Sequence, residues 1–437
     1  MNPTKSDLSL NRRILALALP AIVNNITVPL LGLCDTAIAG HLGSAAFLGA
    51  MAVGAMMLNV VYWLCGFLRM GTTALSAQAY GASDFSRVRD IIRKAFLIGA
   101  VISVVVIIAR SPLERMLLQV IGADQTVALN ASLYFRILVW AVPAQLTVMS
   151  VSGWFIGLQN TTVPMVVAVG INIVNIIVSL TLVFGFGLGF TGIAVGTLSA
   201  NWIGLAGALV FVRGRMKKMP NPSTRSVVKW RRFFSVNTDL FFRSACIMCV
   251  TLAMTSIGSR LGETTLAANA VIMQFFLFFS YFMDGYAFAG EAIVGSAAGA
   301  NDYDAVRNGV RSLCVWGAAM ALLFFLVYLC ASDAVASLLT DVSEVRETVR
   351  GLRFWIVILP PVTVAAFIFD GVFIGLARTR RLLVTTLIAA AAFFFIVFIV
   401  PGDGILPSDN LLWLAFETYL LLRGTLLALG YVKLQRF

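Results

Sequence analysis

Seven ionisable residues fall inside long apolar runs of this sequence: Asp35, Arg69, Asp284, Glu291, Asp370, Glu417 and Arg423. Charge at membrane depth is expensive, so each is a functional candidate by default. Asp35 stands in the segment GLCDTAIAGH, downstream of Pro20 and Pro29 on the same run. Proline removes a backbone hydrogen bond, so this helix is predicted to bend. A carboxylate in a low-dielectric cavity can load and release a proton near neutral pH. The plainer alternative makes Asp35 a cap at the outer helix end.

The other candidates divide by spacing. Asp284 and Glu291 are seven apart and share a helix face. Arg69 is expected at a depth similar to Asp284, either as a charge pair across a central cavity or as a static buried group. Asp370 is a second cation or proton site, or else the partner of Arg423. Glu417 and Arg423, six apart, point to different sides. Asp239 and Arg243, four apart near a helix start, are expected to form a local ion pair. Asn172, Asn175 and Ser179 lie along one helical face. They are either interhelical glue or a polar lining for substrate and proton.

Enzyme chemistry finds no constellation here. The sole histidine is His41, there is no P-loop, and no Ser/His/Asp arrangement can be assembled. The six cysteines fall in apolar runs, where they behave as small hydrophobes. No metal site and no organic cofactor are expected.

The elements that must position these residues follow from composition. Of 437 residues, 60% are hydrophobic and 12% charged, about half the usual charge of soluble domains. With mean hydropathy of +0.93, too little polar surface remains for a soluble fold. The apolar runs are long and continuous, as helices require, rather than the short alternating segments of a membrane barrel. Spans are predicted near 14–38, 47–78, 91–109, 128–156, 164–186 and 192–212. A second set follows near 239–258, 266–297, 309–331, 350–376, 382–401 and 410–431. Between them, 213–238 is a basic linker carrying Pro220, Pro222 and eight Lys or Arg residues.

The two sets repeat each other at an offset of 218. Ala79-x-Gly81-Ala82-x-Asp84-x3-Val88-Arg89-x3-Arg93 matches Ala297-x-Gly299-Ala300-x-Asp302-x3-Val306-Arg307-x3-Arg311. The same offset aligns Pro143 with Pro361 and GWFIGL (153–158) with GVFIGL (371–376). The expected architecture is therefore all-α and integral to the membrane: twelve helices in two six-helix lobes, 1–212 and 239–437. Two six-helix copies share one orientation, so a pseudo-twofold along the membrane normal relates them. Alternate connections starting from the N-terminus hold 22 Lys and Arg, and the opposite connections hold seven. Both termini are then cytoplasmic. Basic residues confined to short loops also argue against a nucleic-acid partner.

LALPAIVNNITVPLLGLCDTAIAGHLG, LRMGTTALSAQAYGA and MDGYAFAGEAIVGSAAGAND resemble the multidrug and toxic compound extrusion (MATE) transporters, in particular their DinF branch. The likeness runs over essentially the whole chain. It implies export of amphipathic or cationic organic compounds in exchange for protons, with sodium as the alternative coupling ion. The family's helix-1 aspartate falls on Asp35, its bending proline on Pro20, and its helix-5 polar group on Asn172 and Asn175. Where the family usually carries an aspartate one turn later, this sequence has Ser179. Asp370 matches the helix-10 acid of sodium-coupled relatives, but their helix-7 glutamate has no counterpart. The expectation is a proton-coupled antiporter of the bacterial inner membrane, acting as a monomer that encloses its own pathway. A lipid or lipid-linked-sugar flippase is the competing reading, with Arg69, Arg243 and Arg423 as the buried cations it would need.

Overall fold

The computed structural model describes residues 5–42, 44–122, 124–220, 226–399 and 408–434. Pro222 of the linker and Arg436 lie outside them. Among the described residues every regular element is helical, and twelve helices are long and apolar enough to cross a membrane. The chain is a multi-pass membrane protein, as its hydropathy dictates.

The first six spans are built from α1 (Lys5–Gly40), α2 with α3 (Ala45–Leu64, Phe67–Gly81) and α4 (Phe85–Ile108). They continue through α6 with α7 (Gln125–Leu138, Val142–Gly157), α8 (Thr162–Leu180) and α9 (Gly189–Lys218). The second six are α10 (Trp230–Arg260), α11 (Glu263–Gly299), α12 (Tyr303–Leu339), α14 (Arg353–Gly375), α15 (Thr379–Ile399) and α16 (Ser408–Leu434). Two short helices, α5 (Arg110–Ile121) and α13 (Ser343–Gly351), occupy connections that hydropathy alone leaves as loops.

The repeat is written into backbone geometry. Among the described residues the non-glycine positions with positive φ are Ser83, Gln159, Asn301 and Ala377. These are two pairs at the offset of 218. Left-handed backbone is strained for such residues, so its recurrence marks one turn used twice. Asp84 caps α4 by accepting from the Arg87 amide at 3.0 Å, and Asp302 caps α12 by accepting from the Ala305 amide at 2.9 Å. Helix approach repeats as well. A Cβ placed on Gly153 would lie 2.2 Å from the Arg69 carbonyl oxygen, and one on Gly371 would lie 2.3 Å from that of Ala287. Small residues let membrane helices approach backbone to backbone, and here they join α3 to α7 and α11 to α14.

Two compact units result. One comprises 23–233, the other 1–22 with 234–437. This departs from a division at 1–212 and 239–437. The start of α1 packs with the second unit because Gly285 of α11 admits it. A Cβ there would lie 2.4 Å from Ile22 and 2.9 Å from the Ala18 carbonyl oxygen. Helix α1 runs unbroken from Lys5 to Gly40, through Pro20 and Pro29.

The described parts of the linker, 213–220 and 226–238, are more ordered than their composition implies. Its last residues, from Trp230, already belong to α10. The approach is pinned to α4: the Val228 amide donates to Asp90 at 2.9 Å, and Arg89 donates to the Met219 carbonyl at 3.0 Å. Large apolar side chains left exposed, such as Val104, Val105 and Ile108 of α4 and Leu322 and Leu323 of α12, mark the flanks that meet lipid.

Candidate functional site

In the 23–233 unit, three helices bring a carboxylate, a hydroxyl and an amide together. Asp35 of α1 is 6% exposed. Thr197 Oγ1 of α9 lies 3.5 Å from Asp35 Oδ2, and Asn175 Nδ2 of α8 donates to the same Oγ1 at 2.8 Å. Thr197 Oγ1 is also 3.1 Å from the Ile193 carbonyl. A hydroxyl has one proton and two lone pairs. Thr197 therefore accepts from Asn175 and gives its proton either to Asp35 or to its own helix. That choice lets it follow the state of the carboxylate. Tyr134 of α6 sits within interaction range of Asp35 and Thr197.

Asp35 Oδ1 and Asn175 Oδ1 are buried without a hydrogen-bond partner, and no ion pair reaches Asp35 among the described residues. Buried polar atoms are rarely left so. Such a carboxylate suits a group that exchanges a proton or a ligand better than one that fastens helices.

The other predicted members of this cluster lie on the same helix, α8. Asn172 Nδ2 donates to the Thr27 carbonyl at 2.8 Å, tying α8 to α1. Ser179 abuts Gly196, where a Cβ would come within 2.2 Å of its Oγ. Its Oγ is buried without a hydrogen-bond partner. Sequence spacing does identify the polar face of α8. Thr197 escaped it, because a threonine in an apolar helix carries no signal until its neighbours are known.

In the second unit the buried charges sort differently from their spacing. Arg243 of α10 and Arg423 of α16 both donate through Nη2 to Asp370 Oδ2 on α14. All three residues are at most 8% exposed. Arg423 also reaches the Tyr419 hydroxyl at 3.3 Å, with its guanidinium 5.5 Å from that ring's centroid. The expected local pair of Asp239 with Arg243 does not form. Asp239 accepts from Thr379 Oγ1 at 2.9 Å and meets Arg380 at 3.6 Å. A buried guanidinium must find an anion at its own depth, and for Arg243 that anion is Asp370.

Glu417 is 4% exposed, and neither of its oxygens has a hydrogen-bond partner. Glu291 is 1% exposed on α11. Arg69 on α3 and Asp284 on α11 are half-buried, one in each unit. Among the charges assigned to one cavity, Asp370 and Arg423 touch, joined by Arg243. Among the described residues no three His, Cys, Asp or Glu side chains gather as a metal site would need.

Comparison with known proteins follows the same lines. The family model described as MatE matches residues 20–204 and 240–399. The chain is 35% identical over 416 residues to the DNA damage-inducible protein F of Escherichia coli, covering 94% of this chain and 90% of that one. It is 28% identical over 324 residues to the multidrug resistance protein MdtK of Edwardsiella ictaluri, covering 71% and 70%. In fold it resembles the crystal structure of the Vibrio cholerae MATE transporter VcmN in the bent form. That likeness has a TM-score of 0.85 at 20% identity and covers 99% of this chain and 98% of that one.

Proposed function

The chain belongs to the MatE family, and on that premise we propose that it is a secondary antiporter of the bacterial inner membrane. It exports amphipathic, cationic organic compounds in exchange for protons, has both termini in the cytoplasm, and performs no enzymatic step. It works as a monomer, with small molecules and the bilayer as its partners and no nucleic acid.

The observation that carries this reading is the Asp35–Thr197–Asn175 group. A buried carboxylate with one unpartnered oxygen and a reversible hydroxyl neighbour has two states of different charge. Substrate bearing positive charge favours the ionised form. A proton removes that preference. Antiport needs only that the two ligands differ in affinity for the two states. Thr197 couples the change in Asp35 to α8 and α9, and the Asn172 bond to Thr27 links α8 back to α1.

Sodium coupling through Asp370 is disfavoured by the same kind of argument. A carboxylate already holding two guanidiniums offers a sodium ion little net negative charge.

Fluorescent-cation efflux from proteoliposomes tests the proposal, with a pH gradient imposed and sodium absent, then present. The wild type is expected to respond to the pH gradient alone. Asp35→Asn is expected to fold and to lose that response. Efflux that requires sodium and survives the substitution would overturn the proposal.

A further inference from the structure

We propose that the groove between the first turns of α15 and the last turns of α16 holds an anionic phospholipid. Arg380 and Arg381 of α15 and Lys433 of α16 line a cavity of about 360 Å³. Its other wall is apolar, made by Val384, Leu426 and Leu429 among others. Val384 is 42% exposed and Leu429 is 60% exposed, so this wall opens onto the lipid-facing flank. Cations at the end of the spans above an apolar wall along them match an amphiphile with a negative head and acyl tails.

The charges are not consumed by the protein. Arg381 Nη1 donates to the Gly430 carbonyl at 2.8 Å, which fixes the guanidinium over the groove and leaves its other donors. Arg380 meets one acid, Asp239, at 3.6 Å, and its side chain is 77% exposed, so that pair is weak. No ion pair holds Lys433 among the described residues. Three cations thus face one acid. Helix electrostatics does not account for the arginines, because the positive end of α15 disfavours cations in its first turn. A headgroup phosphate supplies a negative charge that these cations can share. Basic pockets between spanning helices are suited to such headgroups.

The test uses the full-length protein in micelles and reads retained lipid by native mass spectrometry. Phosphatidylglycerol is compared with phosphatidylcholine of the same chains and with inorganic phosphate as competitor. The wild type is expected to retain phosphatidylglycerol on the order of tenfold better than phosphatidylcholine. Arg380→Gln with Lys433→Gln is expected to abolish the difference. Arg378→Gln, at the same end of the chain's spans but outside the groove, is expected to keep it. Lys433→Gln alone changes only an exposed side chain and is expected to reduce the preference severalfold. Equal retention of the two lipids, a preference surviving the double substitution, or displacement of the lipid by inorganic phosphate would each overturn the proposal. The readout involves no transport, so its failure leaves the antiport reading to stand or fall on its own assay.

Discussion

Thr197 Oγ1 lies 3.5 Å from Asp35 Oδ2 while accepting a hydrogen bond from Asn175 at 2.8 Å. One hydroxyl therefore joins the carboxylate of α1 to the amide of α8. Removing it with Thr197→Val deletes a contact worth about 1 kcal/mol, roughly a fivefold effect. Proton-driven efflux is expected to fall by that order, and Thr197→Ser, which restores the hydroxyl, is expected to recover it. Efflux in proteoliposomes separates the two. Wild-type coupling in Thr197→Val would remove Thr197 from the site.

Asp370 holds two buried guanidiniums on one oxygen. Asp370→Asn strands both, and breaking a buried pair by deleting one partner costs about 3–5 kcal/mol. A large drop in melting temperature is expected. Arg423→Gln leaves Asp370 with Arg243 and is expected to be the milder change. Equal melting temperatures for the wild type and Asp370→Asn would show that the cluster does not hold the lobe together.

Gly153 and Gly371 make the same close approach in the two repeats. An alanine at either meets a backbone carbonyl, which cannot move aside as a flexible side chain can. Overpacking of this kind costs about 1–3 kcal/mol. Gly153→Ala and Gly371→Ala are expected to destabilise by similar amounts, whereas alanine at Gly207, where the space is open, is expected to be tolerated. Thermal melting of the three variants side by side checks the symmetry.

Glu114 of α5 accepts from Arg136 at 3.0 Å and from Ser132. Burial pushes its carboxyl up, but the bonds from Arg136 and Ser132 and the charges of Arg136 and Arg115 outweigh that and hold it below its ordinary value. A depressed carboxyl contributes stability above its unfolded value of about 4.3 and loses it as pH falls through the folded one. Melting temperature is therefore expected to fall on acidification below about pH 4, with a smaller fall in Glu114→Gln. An identical acid profile in the variant would assign the acid sensitivity to other groups.

The legible and the illegible parts of this protein separate by range. Twelve spans, the duplication and the polar face of α8 could be read along the chain. Hydropathy, the offset of 218 and helical spacing are local or periodic quantities. Of the partners of buried charges, Arg423 for Asp370 stood among the readings of the sequence, but the others did not. Arg243 passes over Asp239, four residues away, for Asp370, 127 residues away. Asp35 meets Thr197 across 162 residues. Desolvation makes every buried charge seek a partner, but only the packed helices decide which one stands at its depth. The same holds for residues 1–22, whose place with 234–437 rests on a notch at Gly285. By itself the sequence determined that the chain crosses the membrane twelve times in two related halves. Only the tertiary structure decided which charges meet, because that depends on the approach of helices far apart in the chain.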